Sequence, residues 1–244
     1  MKEVRLLVTR FAPHAQRLTN LLNAQGIVAF AQPLLALQKT TEFNHVSKVL
    51  AKHYDCIIAV SPNAVDYTDR ALAGLNWPQT EYLAVGLATQ AKLKTATAQH
   101  VVVPERCFDS EGLLDLPLLS DLQGKQILIL RGLGGRELLC DTLTQRGAIV
   151  DYYQPYQRVA LVLCGKALTK EWQQQNINGA IISSIELLER LMAVVPSAAQ
   201  EWLRTLTIYA PSERILDQAK LWGWSNTEVL PGMSDQQVVD YFKH

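Results

Sequence analysis

The chain has 244 residues, 48% of them hydrophobic and 19% charged, with acids and bases equal at 23 each. That length admits one large or two modest domains, and the apolar fraction suffices for proper cores. The balanced charge argues against an extended nucleic-acid surface, which needs a basic excess, so any anionic ligand must be met by local groups.

Short apolar runs alternate with helical patterns along the whole chain. The pattern predicts a strand at 4–9, a helix at 13–25 and a strand at 27–30. Met1 leads directly into the first strand without a basic region and a long apolar run, so no signal peptide is expected. Residues Leu34 to Thr41 read as a connection. A helix at 44–52, a strand at 56–60 and a helix at 62–73 follow, then strand 82–85, helix 87–97, strand 100–103 and helix 110–118. Next come strand 126–130, helix 134–146 and strand 148–153. A second connection spans Tyr156 to Lys166. Helix 168–175, strand 179–183, helices 185–194 and 197–204, strand 207–210, helix 212–222, strand 227–230 and helix 234–243 complete the series. Strands that are continuous apolar runs, alternating with helices, imply α/β architecture with parallel sheets covered on both faces. Ser61-Pro62, Pro211-Ser212-Glu213 and Gly232-Met233-Ser234-Asp235 read as helix starts, and Gly26 and Gly147 as left-handed helix ends.

The four cysteines, Cys56, Cys107, Cys140 and Cys164, form no CxxC pair and read as reduced, mostly buried thiols. The five histidines are scattered without metal spacing, so no zinc site is expected. No apolar stretch approaches a membrane span, and a cytoplasmic protein without membrane contact is expected. Trp172, Trp202, Trp222 and Trp224 fall on helical patterns and are assigned to packing.

The chain carries one internal duplication. Val4–Val8 with Thr9-Arg10, a Leu18/Leu22 helix and Gly26-Ile27-Val28 match Ile127–Leu130 with Arg131, a Leu139/Leu143 helix and Gly147-Ala148-Ile149. Gln32-Pro33 recurs as Gln154-Pro155, one residue out of step. Tyr54–Ser61 resembles Asn178–Ser184, Tyr82–Gly86 resembles Thr207–Pro211, and Val101–Pro104 resembles Glu228–Pro231. A repeat of about half the chain favours two similar domains.

Three stretches carry the candidate chemistry. The first is Arg131-Gly132-Leu133-Gly134-Gly135-Arg136-Glu137, a glycine loop between strand and helix. Such a loop presents backbone N–H groups to an anion, and arginine suits a carboxylate through its planar fork. The third glycine of a dinucleotide fingerprint is replaced by Glu137, and no lysine of a phosphate loop is present. Arg131 and Arg136, with Arg10 in the repeat, are therefore candidate anion ligands rather than nucleotide ligands. The second is Ser61-Pro62-Asn63, where a serine at a strand end opens a helix at the sheet's carboxyl edge; Ser183-Ser184 and Ser212-Glu213-Arg214 hold the matching places later. Each alone suits helix capping. Without GxSxG, a serine nucleophile has no support. The third is Asp151 to Arg158, where Tyr152 and Tyr153 read as packing residues and Tyr156 lies where the chain leaves one unit for the other. A tyrosine there can donate a proton while staying neutral.

In order and spacing, Ser61-Pro62-Asn63-Ala64-Val65, Ala84-Val85-Gly86-x-x-Thr89, the loop from Arg131 through Arg146-Gly147-Ala148, Tyr156-x-Arg158 and Pro211-Ser212-x-Arg214 resemble the uroporphyrinogen-III synthase family over the full length. Ser183-Ser184-Ile185 and Ala59-Val60 depart from the Thr-Ser and Phe-Thr pairs of many members. The resemblance implies two α/β domains, each a parallel sheet flanked by helices, joined by a two-strand connection with an interdomain cleft. One domain would comprise 1–35 with 160–244 and the other 36–159. It implies a lyase that closes the linear tetrapyrrole hydroxymethylbilane to uroporphyrinogen III, inverting ring D and losing water, in heme and siroheme biosynthesis. No cofactor and no metal are implied, and a monomer is expected. The resemblance places the tyrosine that donates to the leaving oxygen at Tyr156. Ser61, Asn63, Ser184, Ser212 and Arg214, with Arg10, Arg131 and Arg136, are the expected substrate-binding residues. Two rivals stand beside it: a two-lobed cytosolic protein that only binds an anionic small molecule, and a nucleotide-dependent transferase using the glycine loop.

Overall fold

The apolar runs fold as strands and the periodic stretches as helices. The computed structural model describes residues 3–135 and 137–243. In chain order the elements begin with β1 (Arg5–Val8), α1 (His14–Ala24), β2 (Val28–Ala31), β3 (Leu35–Lys39), α2 (Val46–Leu50), β4 (Cys56–Ala59), α3 (Pro62–Leu72) and β5 (Glu81–Ala84). Then come α4 (Leu87–Thr97), β6 (Val101–Val102), α5 (Ser110–Leu114), β7 (Gln126–Gly132), α6 (Leu138–Gln145) and β8 (Ile149–Ala160). The chain ends with α7 (Gly165–Gln174), β9 (Gly179–Ile181), α8 (Ile185–Val194), α9 (Gln200–Thr205), β10 (Thr207–Ala210), α10 (Glu213–Leu221), β11 (Thr227–Val229) and α11 (Asp235–Phe242).

Two compact units result: unit 1, Met1–Ala36 with Val159–His244, and unit 2, Leu37–Arg158. Among the described residues each unit holds one sheet. Unit 1 has the order β11-β10-β9-β1-β2, with every neighbouring pair parallel. Unit 2 has the order β3-β8-β7-β4-β5-β6, parallel from β8 to β6. The sequence repeat explains the likeness. β1, β2, β9, β10 and β11 take the places that β7, β8, β4, β5 and β6 take in unit 2. Each sheet therefore mixes strands from the two halves of the repeat. In each, the strand order reverses at one point, between β1 and β9 in unit 1 and between β7 and β4 in unit 2.

Side chains alternate faces along a strand, and here both faces are apolar. In unit 2, Ile57, Ala59, Leu128 and Leu130 pack on one face, while Cys56, Ile58, Ile127 and Ile129 pack on the other. In unit 1, Leu7, Ala180, Ile182 and Ile208 face one core and Leu6, Val8, Ile181 and Tyr209 the opposite one. Trp172 and Trp224 are buried in unit 1, with Trp202 and Trp222 packed against the same core. Gly26 and Gly147 follow α1 and α6 with φ of +79° and +93°, the left-handed turn that glycine adopts without strain.

Three expectations need correction. The stretch read as a connection at Leu34–Thr41 contains β3, and β8 runs on to Ala160 instead of stopping at 153. Thr40 N donates to Pro155 O at 3.1 Å and Leu161 N to Leu34 O at 3.1 Å, so β3 and β8 run antiparallel. Pro155 sits where the β7–β8 register shifts, and an irregularity in a ladder tolerates a residue without an N–H. The cysteines are also less buried than expected. Cys56 is buried, and burial pushes its thiol up to about 12, but Cys140 is half-buried and Cys107 and Cys164 are exposed.

Candidate active site

In open parallel sheets, ligand sites form beyond the carboxyl ends of the strands where the order reverses. In unit 2 that place lies past β4 and β7. β4 ends at Ala59, and Ser61 caps α3 with extended backbone, φ −161° and ψ 157°. Pro62 presets the first helical φ, and the Ser61 hydroxyl oxygen accepts from Ala64 N at 3.1 Å. Asn63 lies half-buried in the same turn.

Tyr156 reaches this capped end through the register shift. Leu130 lies opposite Tyr153, yet Gly132 lies opposite Tyr156, so β8 gains a residue over β7. Leu133 N then anchors Tyr156 O at 2.7 Å. The Tyr156 ring is 4% exposed and packs 4.9 Å from the Tyr67 ring, tilted by 34°. Its other neighbour is Gly132, where an added Cβ would stand 2.9 Å from ring atoms Cε2 and Cζ. The Tyr156 hydroxyl lies 3.0 Å from Ser61 Oγ.

Among its described residues the glycine loop is exposed, and only Arg131 at its root is buried. β7 extends through Arg131 and Gly132. The Arg131 guanidinium donates to Gly134 O and, at 3.1 Å, to Glu137, and lies 4.9 Å from the Tyr152 ring centre. Glu137 caps α6 by position and also accepts from the Tyr152 hydroxyl. That hydrogen bond, then Arg131, holds its carboxyl below the usual range. The start of α6 thus already has an anion of its own, bound by Arg131. Arg136 lies outside the described residues. Tyr153 is fully buried and donates to Phe43 O at 2.9 Å, and burial pushes its phenol up.

In unit 1 the corresponding place lies past β9 and β1. Buried Thr9 donates its hydroxyl to Ile181 O at 2.8 Å. Arg10 pairs with Asp235 at 2.8 Å, and Arg17 takes the other oxygen of the same carboxylate. Ser184 caps α8, accepting from Leu187 N at 3.2 Å. Ser212 stands at the cap position of α10 with no side-chain bond to that helix, and Arg214 is exposed in its first turn. Among the described residues no group of three or more His, Cys, Asp or Glu is placed to hold a metal. No described helix is long and apolar enough to cross a membrane.

A family model described as "Uroporphyrinogen-III synthase HemD" matches residues 16–233. The chain belongs to the uroporphyrinogen-III synthase family. The Uroporphyrinogen-III synthase of Escherichia coli K12 is 34% identical over 230 residues, covering 92% of this chain and 94% of that one. That of Salmonella typhimurium LT2 is 35% identical with the same coverage. Among solved structures, a mutant Uroporphyrinogen III Synthase from the extremely thermophilic bacterium Thermus thermophilus superposes with a TM-score of 0.68 at 19% identity, covering 98% of each chain. The uroporphyrinogen-III synthetase of Helicobacter pylori 26695 gives 0.61 at 13% identity and 98% coverage. These two share the fold.

For this uroporphyrinogen-III synthase family member, sequence reasoning found Ser61 and Tyr156 separately and did not pair them. It missed Gly132 as the surface under Tyr156, Tyr67 as the ring beside it, and Asp235 as the partner of Arg10.

Proposed function

We propose that this chain closes hydroxymethylbilane to uroporphyrinogen III with inversion of ring D and loss of water, and that Tyr156 is its proton donor. One observation beyond family membership carries the reading: a tyrosine hydroxyl beside a helix-capping serine, at the strand-order reversal of unit 2. The Tyr156 O–H bond breaks and its proton joins the hydroxymethyl oxygen. The C–O bond then breaks with its electron pair on oxygen, and water leaves an azafulvene cation. The substituted carbon of ring D attacks that cation to give a spiro intermediate, which rearranges and closes. Ring closure releases one proton, which restores the phenol, so the net change is loss of water. The cation is reactive enough to need no covalent nucleophile, so the protein's task is mainly positioning.

Hydroxymethylbilane carries eight carboxylates. We assign their reception to Ser184, Ser212 and the backbone amides after them, where helix N-termini favour negative charge. Asn63 and Arg214 are secondary receivers. Arg10 and Arg131 serve less directly, because Asp235 and Glu137 already engage them. Arg136 is retained as a candidate receiver on sequence grounds alone. Units 1 and 2 are taken as the two domains of the enzyme. The reading requires no nucleic acid, cofactor or second copy, and assigns the protein to the cytoplasm.

The test is incubation with hydroxymethylbilane followed by isomer separation of the oxidised products. The type III isomer is expected. Only the type I isomer, the product of unassisted closure, would leave a protein that binds the bilane without directing it.

A further inference from the structure

We infer that Ser61 works through Tyr156: its hydroxyl donates to Tyr156 Oη, fixes the phenol's proton toward substrate and carries the positive end of α3 to the charge that forms there. The inference rests on the donor role proposed above for Tyr156, and it moves Ser61 from carboxylate receiver to positioning residue.

Proton counting orders the pair. A serine hydroxyl has one proton and two lone pairs. Ala64 N already donates to Ser61 Oγ at 3.1 Å, so one lone pair is taken. Tyr156 Oη lies 3.0 Å away, and either oxygen can be the donor across that gap. If the tyrosine donated, its only proton would point at Ser61 and away from any leaving group. Donation from Ser61 leaves the Tyr156 proton free for substrate. The chain then runs from Ala64 N–H to Ser61 O–H to Tyr156 O–H. It begins at a helix N-terminus, whose unpaired amides and dipole stabilise negative charge. As Tyr156 gives up its proton, the growing phenolate charge meets a hydrogen bond aligned before the reaction starts.

Gly132 provides independent support. It leaves room for the ring in the position from which Oη meets Ser61, since a Cβ there would press on Cε2 and Cζ at 2.9 Å. Its φ lies outside the left-handed region, so the backbone does not demand glycine at this position. The ring above it does.

The test separates capping from donation. Aspartate caps a helix as well as serine does but has no proton to give at neutral pH. Ser61→Asp is expected to keep the melting temperature of the parent while kcat falls on the order of tenfold to a hundredfold with KM little changed. Ser61→Thr retains both functions and is expected to restore kcat to within a few-fold. Gly132→Ala is expected to lower kcat by a comparable factor, and to add little further loss in the Tyr156→Phe background, where no hydroxyl remains to misplace. Parent-like turnover of Ser61→Asp would overturn the inference, as would equal loss from Gly132→Ala with and without the tyrosine hydroxyl. The underlying reading fails differently: either the parent protein yields only type I product, or Tyr156→Phe turns over like the parent.

Discussion

The two strand-order reversals are built on one plan and equipped for different work. Ser61 and Ser184 share nearly the same backbone, φ −161° and −158° with ψ 157° in both, and both cap the helix that follows. Beyond that they diverge. Where unit 2 places Tyr156, the matching Gln-Pro pair in unit 1 is followed by Leu34, fully buried. Where unit 2 has Gly132 after Arg131, unit 1 has Phe11 after Arg10, packed against the core. The duplicated frame therefore carries the proposed proton donor once and a second helix N-terminus with only its cap. Duplication supplies two equivalent edges, and on the proposed reading a leucine-to-tyrosine difference makes one reactive and leaves the other for binding.

Substitutions can test this division, beginning with the largest effect. Tyr156→Phe is expected to reduce kcat on the order of a hundredfold or more in the isomer-resolved assay. Leu34→Ala should instead cost about 2–5 kcal/mol of stability, read by denaturant melting, because it leaves a cavity at a fully buried site. If Leu34→Ala altered kcat as deeply as Tyr156→Phe in folded protein, the division would fail. Ser184→Ala should cost about 1 kcal/mol through loss of the cap and raise KM more than it lowers kcat. A collapse of kcat at Ser184 would make the two edges equivalent after all.

Acid should also distinguish the units. Asp151, through Lys52 first and then Tyr54, and Asp55, through Lys125 and the Gln126 N–H, are held below their ordinary value of 3.8, and Glu137 below 4.5. All three belong to unit 2. Carboxyls lowered in the folded state stabilise it above their unfolded values, and that contribution disappears as pH falls through the folded ones. Hydrogen exchange between pH 5 and 3 is expected to show unit 2 loosening, and Asp151→Asn should reduce the effect. The smallest change concerns helix ends. α4 closes on Ala98 at φ 56°, and α1 is followed by Gly26 at φ 79°. Ala98→Gly should stabilise by roughly 0.5–1 kcal/mol and Gly26→Ala should destabilise by a similar amount.

Much of this architecture was legible because the strands are unbroken apolar runs and the helices carry strong start and stop signals. The site was legible only in pieces. Ser61 is marked by Pro62, and Tyr156 by its place after the second Gln-Pro pair. Their meeting depends on a one-residue slip between β7 and β8, and periodicity does not encode such a slip. The pattern also stops the strand at 153 and reads a connection from Tyr156, within what is a continuous strand. The loop at 131–137 misled in the opposite way. Arginines among glycines suggest an empty anion site, but the glutamate that broke the nucleotide fingerprint is itself the anion Arg131 holds. Charge spacing along a chain does not show which partner a flexible side chain selects.

The mixing of halves within each sheet has a consequence for how the polypeptide acquires its form. Unit 2 is one continuous stretch, so its strands can find one another as soon as that stretch is made. Unit 1 is not. β1 pairs with β9, and the bond from Thr9 to Ile181 spans 172 positions. Until β9 emerges, Leu6, Leu7 and Val8 lack the neighbour that completes their burial on that side. Closing so long a loop is entropically slow, and exposed apolar strands invite wrong pairings in the interval. Unit 2 should therefore mature first, while unit 1 waits for β9.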